Sequence, residues 1–292
     1  MKTYVYHLIA LFTVGIWGTT FVSTKVLLNH GLSPVDIIFY RFLLAYLCLW
    51  PVSYRRFWAK SLKDELLLMG GALTGGSLYF LTENTALTMS YASNVSLIVC
   101  TAPLLTAIVI RLFYKKYRLS TQFVIGSFVA LSGVAIIVFN GHFVLNLNPL
   151  GDLLSFSAAL LWAFYSLIMK LNGKYSTAFI TRKIFFYGII SLLPIYTYQP
   201  LYWGRNLLFD PVIMGNLLFL GVVASMLCYM MWNVVLKNLG TVRASNYIYF
   251  NPVMTLLASS IVLGEALTTV FITGAMLVLG GVFIADRRIM RE

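Results

Sequence analysis

Long apolar runs separated by short polar segments occupy nearly the whole chain. They lie near 7–28, 35–54, 66–89, 93–113, 122–140, 150–169, 178–198, 211–236, 244–263 and 268–285. A helix of about 20 mostly apolar residues crosses roughly 30 Å of hydrocarbon, so each run predicts one transmembrane span. Connections such as Asn29–Pro34 and Gly264–Leu267 are too short for anything but antiparallel hairpins. The expected fold class is an all-α integral membrane protein of ten transmembrane helices, with no stretch left over for a soluble domain. The first run has no small-residue cleavage site, and more spans follow it, so it is expected to stay in the mature chain.

Composition agrees with this picture. Apolar residues make up 60% of the 292 positions and charged residues 10%, with a mean hydropathy of +0.86. Soluble domains carry about 25% charged residues. The net charge of +12 alone would attract polyanions such as nucleic acid. The basic residues, however, form short clusters between apolar runs, which is a membrane-loop pattern. Cys48, Cys100 and Cys228 sit singly within apolar runs, and His7, His30 and His142 are far apart. No metal, disulfide or cofactor is implied. With one acidic residue well inside a span and no buried histidine, a membrane enzyme is not expected.

Orientation follows from the basic residues, which cytoplasmic loops retain. With the N-terminus inside, one side holds Lys2, Arg55, Arg56, Lys60, Lys63, Arg111, Lys115, Lys116 and Arg118. The same side holds Lys170, Lys174, Arg182, Lys183, Lys237, Arg243, Arg287, Arg288 and Arg291. Arg205 alone falls on the other side, while Lys25 and Arg41 lie within spans. Both termini are therefore expected in the cytoplasm, in a multi-pass protein of the plasma membrane (the inner membrane of a bacterium).

The two halves repeat each other. Trp17 to Lys25 reads WGTTFVSTK, and Trp162 to Lys170 reads WAFYSLIMK. Asn84 precedes Pro103 by 19 positions, as Asn233 precedes Pro252. GSFVALSGVAIIV from Gly126 matches GAMLVLGGVFIAD from Gly274, and Ala-Ser-Asn recurs at 92–94 and 244–246. Five spans per copy force the second copy to insert upside down, and the loop charges invert accordingly. This predicts repeat 1 over 1–145 and repeat 2, inverted, over 146–292.

On these residues the chain resembles the ten-helix EamA-like family of the drug/metabolite transporter superfamily. The resemblance rests on WGTTFVSTK, Pro34 through Arg41, Pro103, WAFYSLIMK, NPVMTLLASSIVLGEAL around Pro252, and the glycines of the last span. It covers essentially the whole chain. It implies a central cavity between the repeats and alternating access, commonly for export of amino acids or related metabolites. Lys25 and Arg41 match residues typical of the family pattern. The reading is a secondary transporter of a small amphipathic metabolite, with protons as the candidate coupling ion and a monomer or weak dimer as the assembly. A channel or a non-transporting scaffold is the alternative.

Glu83 carries the sharpest chemistry. An ionisable group in hydrocarbon costs roughly 2.5–3.5 kcal/mol on insertion scales, and it persists when paired or when lining a hydrated path. Lys25 and Arg41 fall at comparable depth, so the three are expected to meet. Glu83 is then either a protonatable or substrate-ammonium site, or half of a fixed ion pair. The other candidate substrate-binding residues are Trp17, Tyr79, Asn84, Asn94, Trp162, Tyr229, Trp232, Asn233, Asn246 and Tyr249. Tyr79 and Glu83, four apart, share a helix face, as do Tyr229 and Asn233. Aromatic walls with a few amides suit an amphipathic solute; each aromatic could equally be packing between helices. Pro103 and Pro252 free backbone carbonyls within their helices and are candidate hinges. The glycines at 126, 133, 274, 280 and 281 read as close helix packing.

Overall fold

The computed structural model describes residues 3–54, 57–90, 92–115, 118–139, 148–201, 209–255, 257, 269–287 and 290–291. Helix α1 (Thr3–Asn29) ends one residue before His30, and Gly31 turns the chain with φ = 88°. Helix α2 (Pro34–Leu49) starts at a capping box in which Ser33 Oγ accepts from Asp36 N and the Asp36 carboxylate accepts from Ser33 N. That box satisfies two orphaned amides, and Pro34 occupies a first-turn position where its missing N–H costs nothing.

The third apolar run is interrupted. Helix α3 (Leu62–Ala72) passes into a π-helical stretch, Leu73–Ser77, before α4 (Leu78–Met89), and Gly76 leaves helical geometry at φ = −128°, ψ = −108°. The fourth run is also broken, into α5 (Ala92–Val99) and α6 (Ala102–Phe113). Helix α7 (Thr121–Phe139) is followed by α8 (Pro149–Leu171) and α9 (Thr177–Leu192), which tightens to a 3-10 turn at Leu193–Thr197. Helix α10 (Pro211–Leu218) leads into a second π-helical stretch, Phe219–Leu227, and then α11 (Cys228–Leu239). After Gly240 (φ = 82°) come α12 (Thr241–Ser245), a 3-10 segment Asn246–Phe250, and α13 (Thr269–Arg287). The predicted run 244–263 is described only through 255 and at 257.

Among the described residues, five helical stretches have the length and hydropathy to cross a bilayer: Tyr4–Asn29, Val95–Phe113, Pro149–Leu171, Thr177–Thr197 and Pro211–Leu239. Thr121–Ile137 and Ile272–Asp286 are shorter apolar helices. The protein is an all-helical, multi-pass membrane protein. One departure from all-α is a two-residue antiparallel pairing, Arg118–Leu119 (β1) with Met290–Arg291 (β2). Large apolar side chains such as Leu8, Phe12, Phe128, Met276 and Phe283 are exposed, as expected of helices whose outer faces meet acyl chains.

Helix α4 packs on α8 and α11 packs on α1, while α2 lies against α9 and the second π-helical stretch. Helices α7 and α13 run against each other with almost no side chain between them. A Cβ on Gly133 would lie 2.6 Å from the Gly274 carbonyl oxygen, and one on Gly281 would lie 2.6 Å from the Gly126 oxygen. Four of the five predicted packing glycines therefore make that contact. Gly280 does not, because it faces open space.

Two basic residues counted on the cytoplasmic side lie within a helix. Arg182 and Lys183 sit two turns into α9 and are buried. Lys183 pairs with Glu65, and its ammonium lies 4.3 Å from the Phe57 ring centroid and 4.6 Å from that of Trp58. Beside it, Lys174 Nζ is 2.7 Å from Asp64 Oδ1, and the Tyr175 hydroxyl donates to Asp64 Oδ2 at 2.7 Å. The hydrogen bonds from Lys174 and Tyr175 pull the Asp64 carboxyl down to about 2. This cluster fastens the start of α3 to α8 and α9.

Candidate functional site

The two π-helical stretches place backbone where the site is built. A π turn leaves carbonyls without their usual amide partner, and such groups need another donor when buried. At the first stretch, the Tyr229 hydroxyl donates to the Gly75 oxygen at 2.5 Å. Gly75 has no Cβ, which lets the Tyr165 ring lie on its backbone; a Cβ there would sit 2.8 Å from Tyr165 Cε2. At the second stretch, Trp17 Nε1 donates to the Ala224 oxygen at 3.0 Å. The next residue, Ser225, accepts from Arg41 Nε at 2.9 Å. Continuous spans were expected at both places. The glycines at 70, 71, 75 and 76 weaken the first helix, and donors from neighbouring helices stabilise both irregular segments.

These contacts surround a central cavity of ≈ 40 Å³, room for a few waters. Its wall draws on α1 (Trp17, Thr20, Phe21), α2 (Arg41), α4 (Tyr79, Phe80, Glu83), the broken α5–α6 run (Val99, Ala102) and α8 (Trp162). Tyr229, Ile248 and Asn251 complete it. The Tyr79 hydroxyl donates to Glu83 Oε1 at 2.7 Å. The Arg41 guanidinium lies 4.0 Å from the Phe80 ring centroid, a cation–π contact. Trp17 meets Trp162 edge-on at 5.3 Å and Tyr229 at 5.7 Å, so the wall is a connected aromatic cluster.

Of the expected site residues, Trp17, Tyr79, Glu83, Trp162, Tyr229 and Arg41 line this cavity. Trp232 stands one layer back, buried, with its ring 5.1 Å from Trp17. Asn233 is also buried behind the wall, accepting from the Tyr165 hydroxyl and donating to Thr181 Oγ1, both at 3.0 Å. It faces a second, larger crevice of ≈ 230 Å³, whose lining includes Lys170, Lys237 and Thr241. Asn84 and Asn246 are buried away from the cavity lining, and Tyr249 packs with Cys100, Ala130 and Val134. The side chain of Asn94 lies outside the described part of the structure.

Lys25 departs from expectation. It is exposed and belongs to none of the described ion pairs. At about 100° per residue, eight positions turn Lys25 roughly 80° away from the direction of Trp17. Near the end of α1, its long stem can carry the ammonium out to the interface. Arg41 and Glu83 share the cavity, yet the described ion pairs do not join them either.

Both prolines follow irregular stretches of backbone. Pro103 sits in the first turn of α6, just after the break at 100–101, and the 3-10 segment Asn246–Phe250 precedes Pro252. The Ile248 carbonyl, which Pro252 cannot engage, accepts from Cys100 Sγ at 3.7 Å. Thr20, Phe21, Phe80 and Asn251 were missed by the sequence reading. Thr20 and Phe21 follow Trp17 by three and four residues, a spacing that keeps them on its face. Asn251, a lone amide beside Pro252, carried a signal of its own.

The chain is similar to known proteins over nearly its full length. An uncharacterized transporter of Archaeoglobus fulgidus is 28% identical over 97% of each chain. A protein of Salmonella typhimurium named a probable amino-acid metabolite efflux pump is 26% identical, over 94% of this chain and 93% of its own. One of Streptantibioticus cattleyicolor named a probable terminal-alkyne amino-acid exporter is 24% identical, over 94% and 91%. A solved crystal structure superposes with a TM-score of 0.76 over 98% of each chain at 17% identity, sharing the fold. Among the described residues no cluster of three His, Cys, Asp or Glu could hold a metal. The sequence model of the EamA-like transporter family matches residues 5–139 and again 149–285, and the chain belongs to that family: it is a membrane transporter rather than an enzyme.

Proposed function

We propose that this transporter is a secondary carrier that exports an amino acid or a related small metabolite across the plasma membrane by alternating access. In this reading ten helices form two inverted five-helix repeats, 1–145 and 146–292, with both termini in the cytoplasm. The single observation that carries it is the cavity wall, which takes side chains from both halves and holds Glu83 and Arg41 among aromatic rings. The pairing of α4 with α8 and of α11 with α1 supports an internal two-fold relation, as do the two π-helical stretches: shifted by the Asn84–Asn233 offset, the first falls inside the second. The names borne by the efflux-pump and exporter relatives support the substrate class and direction.

A cavity of ≈ 40 Å³ is too small for an amino acid, so binding requires the helices around it to move apart. That favours a carrier over an open channel. The test is efflux and counterflow from proteoliposomes containing the purified protein. Saturable counterflow with no ionic conductance is expected; conductance through an open pore would overturn the carrier reading. Repeating the assay with an imposed pH gradient separates proton-coupled exchange from uniport. If Glu83→Gln left rate and gradient response unchanged, the carboxylate would have no part in coupling.

A further inference from the structure

Two ionisable groups of opposite sign lie in the cavity wall, and none of the ion pairs among the described residues joins them directly. Glu83 is 6% exposed and Arg41 2%. Each is held by one polar neighbour: the Tyr79 hydroxyl donates to Glu83 Oε1, and Ser225 Oγ accepts from Arg41 Nε. Phe80 covers one face of the guanidinium. Among the described residues, Glu83 Oε2 and the two terminal nitrogens of Arg41 have no protein hydrogen-bond partner. Burying a carboxylate and a guanidinium in a bilayer and then keeping them apart is costly unless something bridges them. The same wall offers two further polar atoms without partners, Trp162 Nε1 and Asn251 Oδ1, on side chains 5% and 8% exposed.

We infer that Arg41 and Glu83 form a two-point clamp for a zwitterion, with the solute's carboxylate on Arg41 and its ammonium on Glu83. This rests on the transporter reading above and narrows it from metabolites in general to free α-amino acids. A guanidinium presents a fork of N–H donors that matches a carboxylate in a bidentate pair. Phe80 and Ser225 fix the plane of that fork. Glu83, oriented by Tyr79, leaves one oxygen to accept from an ammonium, and Asn251 Oδ1 adds a second acceptor. The solute's side chain then lies against Trp17, Trp162 and Tyr229. A net-neutral solute that carries both charges balances both wall charges at once, which neither a simple amine nor a simple acid can do. In the structure the intervening space suits water, which the zwitterion replaces when the wall opens.

The test uses the full-length protein in proteoliposomes loaded with an equal mixture of the twenty proteinogenic L-amino acids, with efflux followed by mass spectrometry. The amino acid that leaves fastest is then compared with its amide, which lacks the carboxylate, and its N-acetyl derivative, which lacks the ammonium. Each derivative is expected to move about tenfold more slowly or worse. In Glu83→Gln the advantage of the parent over the N-acetyl form should collapse; in Arg41→Gln the advantage over the amide should collapse. The derivative comparison on the unmodified protein stands even if the Arg41 variant fails to fold. If either derivative moves as fast as its parent, the clamp is overturned and the carrier reading survives. If no amino acid leaves faster than from protein-free vesicles, the amino-acid reading fails and takes the clamp with it.

Discussion

The two interrupted helices, 62–89 and 211–239, share a backbone device and differ in the chemistry mounted on it. Each contains a π-helical stretch, and in each an aromatic donor from another helix claims a carbonyl: Tyr229 on Gly75, and Trp17 on Ala224. These donors cross between the halves, so each irregular segment is stabilised by the other half's cavity wall. Beyond the stretch the likeness ends. The first helix continues to Tyr79 and Glu83, the second to Cys228 and Trp232 at the matching positions. The first also breaks more sharply, at Gly76, and is tied down at its start by Asp64 and Glu65; the second is capped by its own Asp210, whose carboxylate accepts from Val212 N at 2.8 Å. The shared device shapes the cavity, and the charge is confined to one side of it.

The largest expected effect separates the two sides by chemistry. Glu83→Gln should slow transport by about 10- to 100-fold, the range of a lost hydrogen bond to a charged group, ~1.5–3 kcal/mol. Trp232→Phe removes an indole N–H that has no partner among the described residues, so its transport rate should stay within about threefold. Initial rates in proteoliposomes decide it, and equal losses would show that the asymmetry has no functional weight.

Next is the backbone. Gly75→Ala places a Cβ against the Tyr165 ring and should destabilise by about 1–3 kcal/mol through overpacking. Ala224→Gly at the matching position should cost only about 0.5–1 kcal/mol. Thermal unfolding in detergent reads both. A coupled recovery in Gly75→Ala/Tyr165→Leu would assign the difference to that ring. Tyr229→Phe and Trp17→Phe each strip one buried carbonyl of its donor, and each should cost about 1 kcal/mol or somewhat more. A large inequality between them would break the parallel between the two stretches.

The smallest effect concerns the tie at the start of the first helix. An aspartate in an unfolded chain titrates near ~3.9, whereas the folded Asp64 carboxyl is held at about 2. Its stabilisation is therefore present above pH ~4 and is lost as pH falls through about 2. The unfolding midpoint of Asp64→Asn should match that of the unmodified protein more closely at pH 2.5 than at pH 6. An equal gap at both values would refute the ion pair's contribution.

Much of the architecture could be read from the apolar runs, because hydropathy reports depth and length directly. Depth alone does not say which way a side chain points. Lys25 and Arg41 look equivalent in sequence, yet Arg41 turns into the cavity and Lys25 out of the bundle. Asn84, Asn233 and Asn246 are absent from the central wall, while Asn251, on the segment that follows Asn246, lines it. The π-helical stretches were not legible either. Their stability depends on donors supplied from more than 140 positions away, and no local pattern encodes that. The burial of Lys183 was not legible, because its charge is visible in the sequence and the aromatic rings enclosing it are not.

The glycine seam between α7 and α13 has a practical consequence. Helices in backbone contact cannot slide or tilt without forcing main-chain atoms together, so this pair should keep its spacing while the cavity walls exchange positions. Spin labels placed on the lipid-facing side of the seam, at Phe128 and Met276, would give an internal ruler of fixed length. Distances measured elsewhere in the bundle as solute is added could then be calibrated against it.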